Sequence, residues 1–326
     1  MIITRTPLRI SLGGGGTDLP SYYSRNGGIV ISAAINRYIY VGINRTFTDG
    51  FFIKYSEYER RASVEEITHP IIREALRAHP IGPAVELVSM ADIPGGTGLG
   101  SSGSFTVGLL RAIYAFRREP VAAHVLAEEA CDIEIGKLGR AVGKQDQYIA
   151  AFGGLTCFEF DREGRVTVSP LHIPLPAIRD LEERLLLFFT GYSRNAEDQL
   201  QQQRERSDAG DQAMWQSLDG VAALGGRVRE ALEAGENREF ATILNEHWLC
   251  KRGRSKGMTS DTIDRWYEIG LANGALGGKL VGAGGGGFLL FYAEDTQSLR
   301  GAMAREGLTE VHFSFDLDGS TVIVRD

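Results

Sequence analysis

A glycine- and serine-rich segment early in the chain has the composition of an anion-binding loop. Residues 94–104 are Pro-Gly-Gly-Thr-Gly-Leu-Gly-Ser-Ser-Gly-Ser and lead from a predicted strand into an apolar helix. Small residues at such a junction let unpaired backbone amides and the positive end of the helix dipole meet an anion. The hydroxyl of Ser101 or Ser102 could also coordinate Mg²⁺. A turn in which Ser101 only caps the helix is the alternative, but five glycines and three serines in ten residues exceed what a cap requires.

Two common phosphate-binding motifs do not account for this segment. Residues 98–103 match Gly-x-Gly-x-x-Gly, but a dinucleotide-dependent oxidoreductase also needs an acidic residue at the end of a second strand about 20 residues later. That distance falls at Glu119, directly after a predicted helix. A Walker loop ends in Gly-Lys-Ser or Gly-Lys-Thr, whereas Lys279 follows a glycine pair and precedes Leu280. Neither motif is present.

Two further glycine-rich segments have the same character. Residues 7–18 (PLRISLGGGGTD) end a predicted strand in four consecutive glycines, and residues 277–288 (GGKLVGAGGGGF) precede a predicted strand. In order and spacing, the three segments resemble the three signature motifs of the GHMP kinases, the family of galactokinase, homoserine kinase, mevalonate kinase and phosphomevalonate kinase. The resemblance covers nearly the whole chain and implies a phosphotransferase that binds ATP and Mg²⁺. It assigns nucleotide binding to Gly96, Thr97, Gly98, Leu99, Gly100, Ser101, Ser102, Gly103 and Ser104.

Shorter segments narrow the resemblance within the family. They are residues 6–20, 143–148 (GKQDQY), 190–194 (TGYSR) and 245–248 (NEHW). They are most similar to bacterial kinases that phosphorylate the anomeric hydroxyl of D-glycero-D-manno-heptose 7-phosphate and supply nucleotide-activated heptose for capsule and other surface glycans. The alternatives are a kinase of another higher sugar phosphate such as an octose 8-phosphate, a kinase of a free sugar, and a non-catalytic sugar or nucleotide sensor on the same fold.

Asp146 and Arg9 are the predicted catalytic residues. By resemblance, Asp146 is the aspartate that faces the acceptor hydroxyl, where it accepts the proton or orients the hydroxyl. Arg9 lies nine residues before Asp18, a spacing that galactokinase has between the arginine beside the reacting hydroxyl and a sugar-binding aspartate. Arg9 would stabilise charge on the attacking oxygen or on Asp146. A solvent-exposed helix aspartate is the alternative for Asp146.

Ser102 and Glu134 are the predicted ligands of one Mg²⁺ ion. Glu134 precedes Asp146 by twelve residues, which is similar to the spacing of the metal-binding glutamate and the catalytic aspartate in galactokinase. Two protein ligands suffice for Mg²⁺, because water and phosphate oxygens take its other positions. The alternative is an ordinary charged helix face, since Glu128 and Asp132 lie on the same predicted helix.

The first glycine segment and several basic residues are the predicted substrate site. Galactokinase carries Glu-His where this chain has Gly15 and Gly16, so a roomier pocket is implied. A substrate that already bears a phosphate needs a cationic end to its pocket. The candidates for that end are Arg194, Lys251, Arg252, Arg254 and Lys256, with surface charge as the alternative. The residues assigned to substrate binding are Gly13, Gly14, Gly15, Gly16, Thr17, Asp18, Arg194, Lys251, Gly284 and Gly285.

The composition excludes several classes of protein. Glycine supplies 41 of 326 residues, but 43% hydrophobic residues and ten prolines fit neither collagen nor a disordered chain. A net charge of −7 without long runs of one sign argues against nucleic-acid binding. Three widely spaced cysteines without a Cys-x-x-Cys pair indicate a reducing cytoplasm, and neither a signal sequence nor a membrane-spanning run is apparent. We expect a cytoplasmic protein with small-molecule partners, a sugar phosphate and ATP; a homodimer is compatible with the sequence.

The elements that must position these residues indicate an α+β protein. Strands are predicted at 2–12, 29–35, 38–44, 84–90, 155–160, 166–171, 185–190, 288–292, 310–315 and 321–325, and helices at 104–118, 121–137, 144–151 and within 195–273. Residues 173–176 (IPLP) lack two amide donors and are predicted to link two domains. We therefore predict the two-domain GHMP kinase fold. Residues 1–175 would form a mixed β-sheet with helices, residues 176–326 an α/β sandwich, and the active site would lie in the cleft between them.

Overall fold

The computed structural model describes residues 1–191, 196–254 and 257–326. The strands are β1 (Ile2–Gly13), β2 (Gly28–Arg45), β3 (Phe51–Lys54), β4 (Tyr58–Arg61), β5 (Val85–Ala91), β6 (Leu155–Phe160), β7 (Val166–Pro170), β8 (Leu185–Phe189), β9 (Ala275–Leu280), β10 (Phe288–Ala293), β11 (Thr309–Glu310) and β12 (Thr321–Arg325). The helices are α1 (Pro20–Asn26), α2 (Pro70–Ala78), α3 (Ser101–Arg117), α4 (Ala123–Cys131), α5 (Gln145–Phe152), α6 (Leu175–Arg184), α7 (Ala196–Asp208), α8 (Gln212–Ala234), α9 (Asn237–Arg252), α10 (Asp261–Ala272) and α11 (Thr296–Arg305).

The first sheet is mixed and is built around the long strands β1 and β2. Its order is β12-β1-β2-β5-β3-β4. In addition, β6 pairs with the first half of β2, and β7 pairs with β6. The pair β3–β5 is parallel, whereas β1–β2 and β2–β5 are antiparallel. Helix α3 packs against β1 and β2. This architecture confirms the predicted mixed sheet with helices.

Strand β2 is continuous through Asn36 and Arg37, where the sequence predicted a break between two strands. Its register with β1 shifts at this point, because Pro7 pairs with Tyr38 while Leu8 pairs with Ile35. Such a bulge accommodates the two extra residues and bends the strand without ending it. The prediction of two separate strands is therefore wrong.

The second sheet is antiparallel, in the order β11-β8-β10-β9. Alternate residues of β8 belong to different cores: Leu187 packs into the core shared with the first sheet, whereas Leu186 packs into a core with residues of α10 and α11. A sheet buried on both faces has apolar residues at every position, which explains the uninterrupted apolar sequence of β8. The predicted C-terminal sheet with helices is confirmed.

The end of the chain departs from the predicted strands. The strand expected at 310–315 is limited to Thr309–Glu310, which pairs with β8, while Phe315 forms an isolated bridge with Ile35. The last strand, β12, pairs with β1 and so belongs to the first sheet. At the predicted linker, Pro174 directly precedes α6 and Pro176 lies in its first turn, a position that suits proline because the first helical amides have no acceptor. The division at residue 175 stays a prediction.

Candidate active site

The predicted phosphate-binding loop lies at the N-terminus of α3. Gly100 precedes the helix with a left-handed φ of 79°, and the first amides of a helix have no intrahelical acceptor. The hydroxyl of Ser101 is buried and has no hydrogen-bond partner among the described residues. The loop residues that line the pocket are Gly96, Gly98, Gly100, Ser101 and Ser102. Free amides and an unpaired hydroxyl at a helix start suit the oxygens of a phosphate chain.

The third glycine segment packs directly on this loop. A Cβ atom at Gly282 would lie 2.6 Å from the Cα atom of Gly98, and a Cβ atom at Gly287 would lie 2.2 Å from the carbonyl oxygen of Thr97. Both distances are shorter than any van der Waals contact, so larger residues would separate the two segments. The glycines are therefore required for the contact between the β9–β10 connection and the phosphate-binding loop.

Arg9 and Asp146 form an ion pair in the pocket. The Arg9 side chain contacts Asp146 Oδ1 at 2.7 Å from Nε and at 2.6 Å from one terminal nitrogen. Its other terminal nitrogen donates to the carbonyl of Gly98 at 2.6 Å. Gln145 Nε2 donates to the same Asp146 oxygen at 3.2 Å, and Oδ2 has no hydrogen-bond partner among the described residues. This pair places a carboxylate oxygen and a guanidinium beside the phosphate-binding loop.

The N-terminus of α5 carries Asp146 and packs closely against α3. A Cβ atom at Gly103 would lie 2.7 Å from Asp146 Cβ and 2.9 Å from the amide nitrogen of Gln147. Only glycine allows this approach of the two helices. The contact at Gly103 thus fixes how close Asp146 lies to the phosphate-binding amides.

Ser102 and Glu134 are in contact, although they are 32 positions apart in the sequence. The Ser102 hydroxyl donates to Glu134 Oε2, while Thr106 and Gln147 donate to Oε1 at 3.0 and 2.9 Å. Arg140 donates to the Ser102 hydroxyl at 2.9 Å and to Glu134 Oε2 at 3.2 Å. Burial raises the pKa of Glu134, and the hydrogen bonds and the Arg140 charge oppose that rise. Arg140 was not predicted, since no motif or spacing marks it.

The backbone after α4 separates Glu134 from its acidic neighbours. The predicted helix 121–137 ends as α4 at Cys131 and continues as a π-helical turn, Asp132–Lys137. The Glu134 side chain is fully buried, whereas the side chains of Glu128 and Asp132 are 49% and 60% exposed. A π-turn inserted in a helix changes the face on which later side chains lie. Glu134 is therefore not part of a solvated charged face.

Asp18 is held at the pocket wall by backbone amides. Gly16 donates to its Oδ1 at 3.0 Å and Gln145 to its Oδ2 at 3.1 Å. Burial raises the pKa of Asp18, and the nearby Asp146 carboxylate raises it further against the effect of these amides. A Cβ atom at Gly143 would lie 1.9 Å from Asp18 Oδ2. Gly143 therefore leaves the space that the Asp18 carboxylate occupies.

Several predicted site residues do not line the pocket. Thr17 is fully buried and donates to the carbonyls of Gly14 and Ile29, so it braces the first glycine segment. Gly13 packs against Val228 of α8. The pocket contains Gly15, Gly16 and Asp18 from this segment, but not Gly13, Gly14 or Thr17. Their predicted contact with substrate stays a prediction.

Three predicted residues of the phosphate-binding loop face away from the pocket. Thr97 donates to the carbonyl of Pro94 at 3.0 Å, and Ser104 donates to the carbonyl of Pro7 at 2.7 Å. Leu99 is fully buried in the hydrophobic core. These side chains hold the loop in place, and the predicted role of the three residues in binding nucleotide stays a prediction.

The last glycines of the third segment also lie outside the pocket lining. Gly282 and Ala283 line it, whereas Gly285 donates to the carbonyl of Met258 at 2.8 Å and Gly284 abuts the same methionine. The predicted substrate contact of Gly284 and Gly285 does not follow from this placement. Arg194 and Lys256 lie outside the described residues.

Three cations form one wall of the pocket. Lys251 lies in the last turn of α9, Arg254 follows that helix, and Lys279 lies on β9; all three line the pocket and are almost fully buried. We call these three residues the basic wall. Arg252 does not line the pocket and faces Asp264. Lys279 was missed as a site residue because the sequence around it was tested only for a Walker loop; its position within the third glycine segment was the available signal.

Across residues 1–191, 196–254 and 257–326, no helix has both the length and the apolar composition needed to cross a membrane. Within the same ranges, no group of three or more histidine, cysteine, aspartate or glutamate side chains could hold a metal ion.

The fold and the site define an α+β phosphotransferase of two domains, with a phosphate-binding loop beside an arginine–aspartate pair. Residues 66–154 match the model of the GHMP kinases N terminal domain, and residues 228–307 match that of the GHMP kinases C terminal domain. The chain belongs to the GHMP kinases, which transfer phosphate from ATP to an alcohol group.

Three relatives illustrate the range of similarity. The chain is 32% identical to D-glycero-alpha-D-manno-heptose 7-phosphate kinase of Campylobacter jejuni, over 98% of this chain and 97% of that protein. A crystal structure of a D-glycero-D-manno-heptose 1-phosphate kinase from Bacteroides thetaiotaomicron has a TM-score of 0.80 at 26% identity and covers 100% of both chains. Galactokinase of Pyrococcus furiosus is 26% identical over 67% of this chain and 68% of that protein.

Proposed function

We propose that this GHMP kinase phosphorylates the anomeric hydroxyl of D-glycero-D-manno-heptose 7-phosphate and releases the 1,7-bisphosphate and ADP. The observation that carries the proposal is the Arg9–Asp146 pair held beside the phosphate-binding loop. Similarity to the Campylobacter kinase over the full length of both chains supports the choice of a heptose phosphate. The product would feed the synthesis of nucleotide-activated heptose for capsule or other surface glycans in the cytoplasm.

The chemistry needs little more than positioning and charge stabilisation. The anomeric oxygen attacks the γ-phosphorus of ATP, the bond between that phosphorus and the bridging oxygen of ADP breaks, and the acceptor proton passes to the Asp146 carboxylate. Asp146 Oδ2 suits this role because Oδ1 already accepts from Arg9 and Gln145. Arg9 stabilises the negative charge on the attacking oxygen.

Mg²⁺ belongs to the same proposal. The Ser102 hydroxyl and the Glu134 carboxylate converge on one point, and the positive Arg140 side chain contacts both. Oxygen donors at a place that already favours positive charge fit Mg²⁺, with ATP oxygens and water as further ligands. When bound, the ion neutralises charge on the transferring phosphate.

A turnover screen tests the proposed substrate. ADP release is measured with heptose 7-phosphate, heptose, an octose 8-phosphate, galactose and mevalonate as acceptors. We expect the highest kcat/KM with heptose 7-phosphate and a product phosphorylated at carbons 1 and 7 by ³¹P NMR. A preference for galactose or mevalonate would refute the choice of substrate, and the absence of ATP consumption with every acceptor would favour a sensor.

The position of phosphorylation is tested separately. The Bacteroides protein of similar fold is described as a heptose 1-phosphate kinase, so heptose 1-phosphate is included as an acceptor. We expect slow or no turnover with it, because its anomeric oxygen is already esterified. Faster turnover with heptose 1-phosphate than with heptose 7-phosphate would reverse the assignment of the reacting hydroxyl.

A further inference from the structure

The basic wall buries three basic side chains in the active-site pocket, and burial lowers the pKa of each of them. Lys251, Arg254 and Lys279 have relative exposures of 6%, 5% and 1%. A buried charge is costly unless an opposite charge and hydrogen bonds compensate it. Three of them on one surface therefore require an explanation.

The hydrogen bonds of the basic wall leave its charge uncompensated. Lys251 Nζ donates to the carbonyl of Gly282, and Arg254 donates to Ser217 at 3.2 Å and to Gln203 at 3.1 Å. Each of these acceptors is neutral. One terminal nitrogen of Arg254 is buried without a partner among the described residues. The charges that act on Lys279 are those of Lys251, Arg9 and Arg254, all of them positive. None of the three cations has a carboxylate partner within the described part of the chain.

His247 extends the wall with a neutral ring. It is 1% exposed, lines the pocket, and neither ring nitrogen has a partner among the described residues. Burial and the charges of Lys279, Lys251 and Arg254 lower its pKa well below the usual range. A neutral imidazole has one donor nitrogen, so His247 adds a donor that is aimed at no protein acceptor.

The wall is adjacent to the predicted sugar-binding segment. One terminal nitrogen of Arg254 would lie 2.9 Å from a Cβ atom at Gly16, and Gln203 Nε2 donates to the carbonyl of Gly16 at 2.9 Å. Gly16 also donates to Asp18. Ser102 and Glu134, by contrast, contact Arg140 and not the wall. Arg254 therefore places one end of the wall beside the predicted sugar-binding segment, while Lys251 bonds to Gly282, which packs on the phosphate-binding loop.

We propose that Lys251, Arg254 and Lys279 form a subsite for a phosphate monoester carried by the acceptor substrate, which makes the enzyme select phosphorylated sugars over free sugars. This assignment rests on the proposed kinase function. A doubly charged phosphate group pairs with several cations at once, and a guanidinium binds two of its oxygens. His247 donates to a further oxygen of the group. Asp146 lines the same pocket, and the reacting hydroxyl must face it. The phosphate that binds the wall is therefore carried on a different carbon of the sugar.

Inorganic phosphate is the probe of this subsite. Its binding is measured by calorimetry in the presence of Mg²⁺ and saturating AMPPNP, so that the phosphates of a nucleotide already fill the loop at α3. We expect Lys279→Met and Arg254→Met each to weaken phosphate binding by about tenfold or more, since each removes a charge-assisted hydrogen bond. Arg252→Met, a neighbour that does not line the pocket, should bind phosphate like the wild type.

Two results of this titration would overturn the proposal. Phosphate affinity that is unchanged in both wall variants would mean that the wall binds no phosphate. Phosphate binding that disappears once AMPPNP is present would mean that the wall binds the terminal phosphate of the nucleotide and not the phosphate of the sugar.

Thermal unfolding separates a lost ligand site from a damaged fold. Lys279→Met removes a buried charge without an acidic partner in the described ranges, so the Tm of the free enzyme should stay the same or rise. Phosphate should raise the Tm of the wild type and not that of this variant. A lower Tm in the free variant, together with a phosphate response equal to that of the wild type, would contradict the assignment.

Kinetics distinguish failure of this subsite from failure of the proposed function. In Lys279→Met, kcat/KM for the sugar phosphate should fall by about tenfold or more, and by a larger factor than kcat/KM for the free sugar. Equal rates of the wild type with phosphorylated and free sugar would refute the subsite and leave the kinase intact. Phosphate binding by the wall without any ATP turnover would refute the kinase and leave the subsite intact.

Discussion

At the scale of single residues, the Asp146 carboxylate combines two tasks that a substitution can separate. Its Oδ1 accepts from Arg9 and Gln145, and its Oδ2 is available to the substrate. Asp146→Asn keeps the size of the side chain but removes the proton acceptor and the ion pair. We expect kcat to fall by about 10²–10⁴-fold, the range for removal of a general base.

The control for this prediction is nucleotide binding. Asp146 does not contact the Ser102–Glu134 pair, so the affinity for AMPPNP and Mg²⁺ should stay within about twofold of the wild-type value. Near-normal kcat in the Asn variant would remove Asp146 from the mechanism.

Gly143 permits the position of Asp18. The backbone of Gly143 is not left-handed, so alanine fits its conformation, but the new Cβ atom would lie 1.9 Å from Asp18 Oδ2. Gly143→Ala must therefore displace the carboxylate. We expect KM for the sugar substrate to rise by about tenfold or more, the effect of one lost hydrogen bond to a charged group, with KM for ATP unchanged. Gly226→Ala is the matched control, since a Cβ atom there meets nothing within 4 Å; a KM for sugar equal in both variants would contradict the steric argument.

Sequence motifs could predict site residues such as Glu134 and Asp146. They could not predict Lys279, because its importance depends on its burial in the pocket. The spacing from Glu134 to Asp146 placed both residues near the phosphate-binding loop, where the structure also has them; their chemical roles stay predictions. Lys279 is different, because nothing in the letters Gly-Gly-Lys-Leu states that the lysine is 1% exposed and without an acidic partner in the described residues. Only the packing of β9 against the pocket shows that.

At the scale of elements, the close contact of α3 and α5 sets the catalytic geometry. Alanine is a better helix former than glycine by about 1 kcal/mol, so propensity alone would make Gly103→Ala stabilising. The contacts of 2.7 Å to Asp146 Cβ and 2.9 Å to the Gln147 amide oppose this, and overpacking costs typically about 1–3 kcal/mol. We expect a lower Tm and a lower kcat, measured by thermal unfolding and by turnover.

Gly226→Ala again provides the comparison for Gly103→Ala. Gly226 also lies within a helix, α8, but has open space around it, so its replacement should raise the Tm slightly. If Gly103→Ala raised the Tm as well and kept full kcat, the close approach of the two helices would not depend on this glycine, and the argument for the placement of Asp146 would fail.

Helix and strand types were predictable from periodicity, whereas their interruptions were not. A continuous helix was expected over 121–137, but the π-helical turn at Asp132–Lys137 changes the direction of Glu134. Likewise β2 crosses Asn36 and Arg37 through a bulge that depends on the register with Pro7 in β1. Both irregularities arise from packing against a partner element, which a local pattern does not contain.

At the scale of the whole molecule, the two sheets share one core and one pocket. Leu187 and Leu290 of the second sheet pack in the same core as Leu8 and Ile10 of the first. The last strand, β12, returns to pair with β1, a long-range pairing that no local signal predicts. Consequently, a charge imbalance in the pocket acts on the stability of the whole fold.

The basic wall makes this stability depend on pH. Burial, and then the charges of Arg254 and Arg9, lower the pKa of Lys251 from 10.5 to about 7; Lys279 on β9 and the neutral His247 face the same pocket. Below pH 7 this lysine is charged in the folded and the unfolded chain, so folding bears the full cost of burying the charge. Between pH 7 and 10.5 the folded protein has lost the proton and the unfolded chain keeps it. The free energy of unfolding should therefore rise with pH in this window, by up to about 1.4 kcal/mol per pH unit for this group.

Urea unfolding of the wild type and of Lys251→Met between pH 6.5 and 9 measures this contribution together with the effect of the Lys251 charge on the pKa values of Lys279 and His247. The titration of groups that do not interact with Lys251 cancels in the difference between the two proteins. We expect the wild type to gain stability relative to the variant as the pH rises through this window. Inorganic phosphate should reduce the gain, since an anion on the wall favours the charged lysine and thereby raises its pKa. A difference between the two proteins that is constant from pH 6.5 to 9 would mean that Lys251 keeps its proton throughout, and that the wall is already neutralised without a ligand.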